Sequence, residues 1–399
     1  MNAPPTLALV WPVKARRLAD GQWNLPEKFV VGVQEFCVLW PGKVEVYLPA
    51  GDSIGTDLDY RLWPESGLPC RFEFFDPETA TRDVFKHAAR TTVLLLPHPD
   101  LLPMARSCLT GGLPLILVTE LSLRTQLQIA SVATRSTPRW LRSVVWHVME
   151  YLRWSRIAAR CAGVQCNGTP VYRHFRRVSR KTLLYFDTRS TARDCTTAEH
   201  VERRLTAARV RGFPRLAFSG RLISMKGAEH LIRVAAELKA RGFRFELWIA
   251  GDGDRRDAME AEVQRAGLAT QVRFLGVLDF KTQLLPLLQA DTDMFVCPHL
   301  QGDPSCTYVE TMSAGVPIVG YANEALRGLI DSFGVGRTVP MRSVHELASA
   351  IIDAWESPGR LLSASLKALA FAREHCFEAE FQRRTDHILG ASQPELAKC

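Results

Sequence analysis

No run of about 18 apolar residues occurs in the 399-residue chain, so nothing in it reads as a membrane-spanning helix. A secretory leader is not expected either. The opening MNAPPTLALVWPVKARR has a short apolar core broken by Pro12, and its positive charges follow that core instead of preceding it. Ten cysteines lack a compact framework, and the closest pair, Cys161 and Cys166, has no His beside it, so neither a disulfide scaffold nor a zinc site is expected. Free thiols in a reducing cytoplasm follow. Repeats and low-complexity tracts are also missing, and 47% hydrophobic with 23% charged residues is the balance of a globular chain long enough for two domains.

Acids are scarce in one place. Between Arg135 and Lys181 eleven Lys and Arg stand against a single acid, Glu150, which puts +10 in one segment of a chain whose total is +8. So uneven a charge argues against a nucleic-acid binder and for one local basic patch. Within it, Leu141, Val145, Val148, Leu152 and Ala159 recur at helical spacing over 138–162, flanked by Arg142, Arg153, Arg156, Arg160 and three tryptophans. Two readings of Arg142–Lys181 stand side by side. One is a peripheral contact with an anionic membrane, on the inner face if the protein is cytoplasmic; the other is a core-facing helix whose arginines are solvated.

The first 200 residues predict strands at 43–48, 72–75, 91–96 and 113–118 in an α/β half. His98 and Glu120 follow two of these strands, at the ends where open α/β sheets bind ligands. Asp20-Gly-Gln-Trp23 reads as a polar turn beside such a cleft. From Leu216 the pattern is regular. Strands at 214–218, 244–250, 272–275, 293–297 and 316–320 alternate with helices at 228–240, 258–266, 283–290 and 306–314, which argues a parallel, doubly wound sheet. Helical stretches at 344–355 and 361–384 close the chain.

Arg221 and Lys226 lie five positions apart in the Gly-flanked loop SGRLISMKG, where a guanidinium fork and an ammonium can neutralise a diphosphate. Glu310, on the helix after HLQGDPSC, can accept hydrogen bonds from the hydroxyls of a ribose. Diphosphate and ribose together make a nucleotide. Asp-x-Asp occurs at Asp57, Asp252 and Asp291, but two cations already stand where a divalent ion would, so no metal is expected.

SGRLISMKG (219–227), GDGD (251–254), VRFLG (272–276) and ETMSAGVPIVG (310–320), in this order and spacing, resemble the donor-binding half of the retaining glycosyltransferases of family four. The resemblance implies the GT-B fold, two Rossmann-like α/β domains facing each other across a cleft, here 1–205 and 206–365, with 366–399 crossing back to the first. It implies a hexosyltransferase that moves a sugar from a nucleotide-sugar donor to a glycan or lipid-linked acceptor with retention of configuration, the nucleotide-sugar being co-substrate and no cofactor being used. Arg221 and Lys226 would hold the diphosphate and Glu310 the ribose. Gly220, Gly251, Asp252, Asp303, Pro304, Ser305 and Cys306 would line the donor site. Where the family carries a first Glu, eight positions before the second, this chain has Gly302, with Asp303 next to it. On the acceptor side Glu120 stands where the family often has a His, His98 matches another His of that cleft, and Trp23 lies where a Gly-rich loop is usual. A nucleotide-sugar epimerase of the same fold, or a silent nucleotide-binding protein, is the alternative.

Overall fold

The computed structural model describes residues 4–13, 15–50, 60–76, 78–79, 81–85, 90–133 and 137–392. The strands are β1 (Thr6–Val10), β2 (Arg16–Arg17), β3 (Trp23–Pro26), β4 (Lys43–Pro49), β5 (Tyr60–Trp63), β6 (Arg71–Phe75), β7 (Thr91–Leu95), β8 (Leu115–Thr119), β9 (Gly163–Asn167), β10 (Thr182–Tyr185), β11 (Arg215–Ser219), β12 (Glu246–Ala250), β13 (Val272–Gly276), β14 (Met294–Cys297), β15 (Ile318–Tyr321) and β16 (Gly336–Val339). The helices are α1 (Glu27–Leu39), α2 (Leu102–Thr110), α3 (Leu123–Ala133), α4 (Thr137–Ala158), α5 (Thr169–Phe175), α6 (Ala198–Arg211), α7 (Ala228–Ala240), α8 (Arg256–Arg265), α9 (Leu285–Asp291), α10 (Thr307–Ser313), α11 (Glu324–Phe333), α12 (Val344–Trp355), α13 (Pro358–Glu374) and α14 (Phe377–Ser392).

Two compact units result, one made of 1–185 with 378–399 and the other of 186–377. The division therefore falls at Tyr185, not at 205, because α6 packs on α13 and clamps α9 and α10 of the second unit. The return to the first unit begins at Glu378, not at 366. The single helical stretch expected over 361–384 is two helices, broken at His375 and Cys376.

In the first unit seven parallel strands run in the order β10-β9-β8-β7-β1-β4-β6. Nearly unbroken apolar strands such as Leu115–Thr119, buried at every position, are what a parallel sheet covered on both faces requires. The apolar N-terminal run belongs to this core. It forms β1 and pairs Leu7 with Val44 on one side and Thr92 on the other. A separate antiparallel sheet, β2-β3-β5, holds Trp23, which is therefore a buried strand residue and not part of the turn beside it. α14 packs on this unit through Phe381, 4.9 Å from Phe36, and through Arg384, which donates to Gln165.

α4 departs from one of its two readings. Trp154, Ile157 and Ala158 are buried near its C-terminal end, yet Leu141, Val145 and Leu152 are about half exposed or more (58, 52 and 48%). The apolar stripe does not face the core. Arg135, which begins the basic segment, and the Asp-x-Asp at Asp57 lie outside the described residues.

The second unit has six parallel strands in the order β13-β12-β11-β14-β15-β16. Strand order reverses between β11 and β14, and the crevice at the C-terminal ends of such a pair is where doubly wound sheets bind ligands. The stacked rings of Phe218 and Phe295, 6.1 Å apart, fill the space beside this pair. α10 is short because Gly315, at φ +62°, and Pro317 stop it before β15.

Candidate functional site

Two loops meet at the switch point of the second sheet. One follows β11 and carries Gly220, Arg221 and Lys226; the other follows β14 and carries His299 to Cys306. The N–H groups of Leu300 and Gln301 both donate to the carbonyl of Met225, at 3.0 and 3.2 Å, which ties the loops together. Gly227 makes the approach possible. Its φ of +68° is left-handed, and a Cβ there would stand 2.0 Å from the Pro298 carbonyl oxygen.

A third loop, after β12, closes the floor. Leu222 N–H donates to the Asp252 carbonyl at 2.8 Å and Arg255 N–H to the Leu222 carbonyl at 3.0 Å. Gly251, at φ +132°, would place a Cβ 1.9 Å from the Gly220 carbonyl, so the two backbones touch at a point where only glycine fits at 251. The Asp252 carboxylate accepts from the Gly253 N–H at 2.8 Å and serves its own turn. Asp293, of the Asp-x-Asp at Asp291, is fully buried. It accepts from Arg211 and the Arg215 N–H, and Asp291 itself pairs with Arg215.

The charged groups fall into two pairs. Lys226 is buried, and its Nζ donates to Asp303 Oδ2 at 2.8 Å, while Asp303 Oδ1 is buried with no partner among the described residues. Asp303, one of the residues expected to line the donor site, thus holds the lysine. Glu310, 2% exposed on α10, accepts from Arg189 Nε at 2.9 Å. Arg189 comes from the segment before α6 and lies over the Phe280 ring, 4.3 Å from its centroid. Arg221 is exposed and its side chain has no ion-pair partner among the described residues. Pro304, Ser305 and Cys306 are half-buried and lead into the first turn of α10, which no side chain caps.

Behind these pairs lies His299, fully buried, its ring 6.0 Å from those of Phe218 and Tyr308. Nδ1 is 3.5 Å from the Tyr308 hydroxyl and Nε2 has no partner among the described residues. Burial, and then the charge of Lys226, hold this imidazole well below the usual histidine range. α10 is fixed from its far end by Arg204, whose guanidinium donates to the carbonyls of Ala314 (2.7 Å) and Gly315 (2.8 Å) and to those closing α9. Burial lowers the Arg204 pKa to about 10. Neither Arg189, Arg204 nor His299 is marked by a local motif; each acts on a residue far away in sequence.

The first unit holds the other expected residues. His98 follows β7 with Nδ1 3.3 Å from Asp100, and Glu120 follows β8, half-buried. These ends are not those of Trp23, whose ring stacks on Phe74 with centroids 4.8 Å apart, beside Arg17. Nine cysteines are described, and all are free thiols. Among the described residues no cluster of metal-ligating side chains occurs, and no helix is long and apolar enough to cross a membrane.

Residues 207–369 match the family model described as "Glycosyl transferases group 1". The 2-deoxystreptamine glucosyltransferase of Streptomyces kanamyceticus is 32% identical over 39% of this chain and 40% of its own length. The phosphatidyl-myo-inositol mannosyltransferase of Mycolicibacterium smegmatis is 31% identical over 45% of this chain and 48% of its own. The chain thus spans less than half the length of these curated relatives. Among solved structures, Anabaena Alr3699/HepE in complex with UDP aligns with a TM-score of 0.65 at 16% identity, over 98% of this chain and 100% of the other. WaaG, a glycosyltransferase involved in lipopolysaccharide biosynthesis, aligns with a TM-score of 0.59 at 13% identity, over 96 and 100%. These structural likenesses establish the GT-B type of fold.

Proposed function

From the match of residues 207–369 to the group 1 glycosyltransferase model we propose that the chain is a retaining hexosyltransferase acting on a nucleotide-sugar. The observation that carries this reading is the placement of Lys226 and Glu310 after the two strands that flank the switch point of the second sheet. Arg221 and Lys226 take the diphosphate and Glu310 the ribose. Gly220, Gly251 and Asp252 form the floor, and the turn from Asp303 to Cys306 faces the sugar.

As the bond from sugar to diphosphate breaks, negative charge grows on the leaving group. Fixed cations act mainly at that stage, because they are already oriented and need no rearrangement. Asp303 keeps the Lys226 ammonium in place until the diphosphate arrives. The sugar becomes oxocarbenium-like and the acceptor hydroxyl attacks from the face the diphosphate leaves, so configuration is retained. The cations carry the role a divalent metal would have, and the nucleotide-sugar is co-substrate.

The acceptor is a glycan or a lipid-linked sugar, selected by the first unit, with His98 and Glu120 as its contacts; Trp23, buried against Phe74, is not one of them. The free thiols support a cytoplasmic setting. The basic segment Arg142–Lys181 supports peripheral contact with the inner face of an anionic membrane.

Release of nucleoside diphosphate, measured across UDP-, GDP- and ADP-sugars with and without a lipid extract, tests the reading. Release from one donor that is lost in Glu310→Gln is the expected result. Thermal stabilisation by a nucleotide with no release under any condition would replace the transferase with a silent binding protein.

A further inference from the structure

Among the described residues twelve large hydrophobic side chains are exposed, and six of them, Trp140, Leu141, Val145, Trp146, Met149 and Leu152, lie on α4. Six within four turns of one helix form a patch, which a chain with no partner there rarely leaves in water. Leu141, Val145, Met149 and Leu152 follow one another at intervals of four, four and three, a single stripe along the helix. Arg142, Arg153 and Arg156 border it. The one acid of the helix, Glu150, is turned inward, 7% exposed and paired with Arg153.

On the other flank stands α5. Its His174 ring meets Tyr151 of α4 at 4.8 Å, and its Nε2 lies 3.0 Å from the Ser155 hydroxyl, which seats α5 directly beside the stripe. A pocket of about 560 Å³ opens there, lined by Pro170, Arg173, His174, Arg176 and Arg177 with no acid among them. An apolar stripe alone fits many partners. A stripe with guanidinium groups on both sides, one set lining a concave pocket, fits a surface that presents acyl chains and phosphates together.

We propose that α4 lies in the plane of an anionic bilayer, its Leu141–Leu152 stripe among the acyl chains and a lipid phosphate in the Arg173–Arg176–Arg177 pocket. This rests on the membrane contact proposed above and deepens it, since apolar insertion, and not charge alone, holds the protein. A second copy of this chain is a poorer occupant: a two-fold contact would set the arginines bordering one stripe against those of the other.

Flotation of the full chain with vesicles of phosphatidylcholine, with or without about one-third phosphatidylglycerol, tests this. Wild type is compared with a Leu141→Gln/Val145→Gln/Met149→Gln/Leu152→Gln variant and an Arg173→Gln/Arg176→Gln/Arg177→Gln variant, all at exposed or pocket positions. Wild type should float with the anionic vesicles. The first variant should lose at least about tenfold in partitioning at low and high salt alike. The second should lose its preference for anionic vesicles and keep the residual, charge-independent part. A first variant that floats like wild type overturns the proposal, as does a wild type that floats with neither vesicle. So does a wild-type dimer, seen by sedimentation, that the first variant abolishes. Inorganic phosphate that displaces wild type from the vesicles at millimolar level would make the pocket a free-phosphate site and overturn the lipid assignment. Stabilisation by nucleoside diphosphate is measured on the same three proteins. It persists in all three if only the membrane proposal fails, and is absent from all three if the donor reading fails.

Discussion

Arg189 Nε donates to Glu310 Oε1 at 2.9 Å, joining the segment that enters the second unit to the helix that follows β14. The guanidinium is itself held over Phe280, so the carboxylate is oriented before any ligand arrives. Arg189→Ala should therefore raise the donor KM about tenfold and leave kcat within about twofold, and Arg189→Lys should recover part of the loss because it restores charge without the planar fork. Initial rates at varied donor concentration separate the two parameters. A fall in kcat at unchanged KM would show that Arg189 acts on the reacting atoms and not on Glu310.

Arg221 and Lys226 differ in what else they do. Arg221→Ala touches an exposed side chain, so stability should stay within about 0.5 kcal/mol while nucleoside-diphosphate release falls at least about a hundredfold. Lys226→Ala should lose release and also about 2 kcal/mol of stability, because it strands the Asp303 carboxylate, one oxygen of which already has no partner. Lys226→Met/Asp303→Asn should regain the stability but not the release. Urea denaturation beside the release assay reads both; full activity in either single variant sinks the diphosphate assignment.

Arg204 bonds the carbonyls that end α9 and α10 from within α6. Arg204→Met keeps the bulk but leaves those carbonyls unpaired, at a cost of about 3 kcal/mol. The expected result is a lower urea midpoint at unchanged slope. A midpoint like that of wild type would show that water replaces the guanidinium freely.

His299 gives stability a pH dependence whose sign follows from its burial. The folded state holds the ring neutral well below pH 6.5, whereas the unfolded chain takes up a proton as pH falls through its ordinary value. The unfolded state then binds more protons, so stability is present above about pH 6.5 and is lost below it, at up to about 1.4 kcal/mol per pH unit. His299→Gln should flatten the difference between urea midpoints at pH 7.5 and 5.5. An unchanged difference would assign the dependence to another histidine held below its ordinary value, such as the half-buried His387.

The second unit was largely legible in the sequence because its strands are apolar runs and its loops carry Gly at fixed offsets. Lys226, Gly251 and Glu310 stand out locally for that reason. Arg189, Arg204 and His299 do not, since a lone Arg before a helix and a lone His after a strand have no spacing that betrays a distant partner. In the first unit β1 was hidden by its brevity and by Pro12 close behind it. Trp23 was misplaced because the turn residues next to it are more visible than a strand of four. On α4 the spacing revealed a stripe, but spacing cannot tell which side of a helix meets water. Only the burial of Glu150 and the exposure of Leu141 fix that.

Ser190 and Phe377 lie next to the two points where the chain crosses between units, and the Phe377 N–H donates to the Ser190 carbonyl at 2.8 Å. The whole second unit is in this sense an insertion whose entrance and exit are stitched side by side. Closing so long an excursion costs loop entropy once, at a single seam, and the bond at that seam belongs to the inserted unit itself. Residues 186–377 therefore make a natural cassette: the stretch can be cut out as one piece, or carried into another scaffold, with both of its ends already juxtaposed.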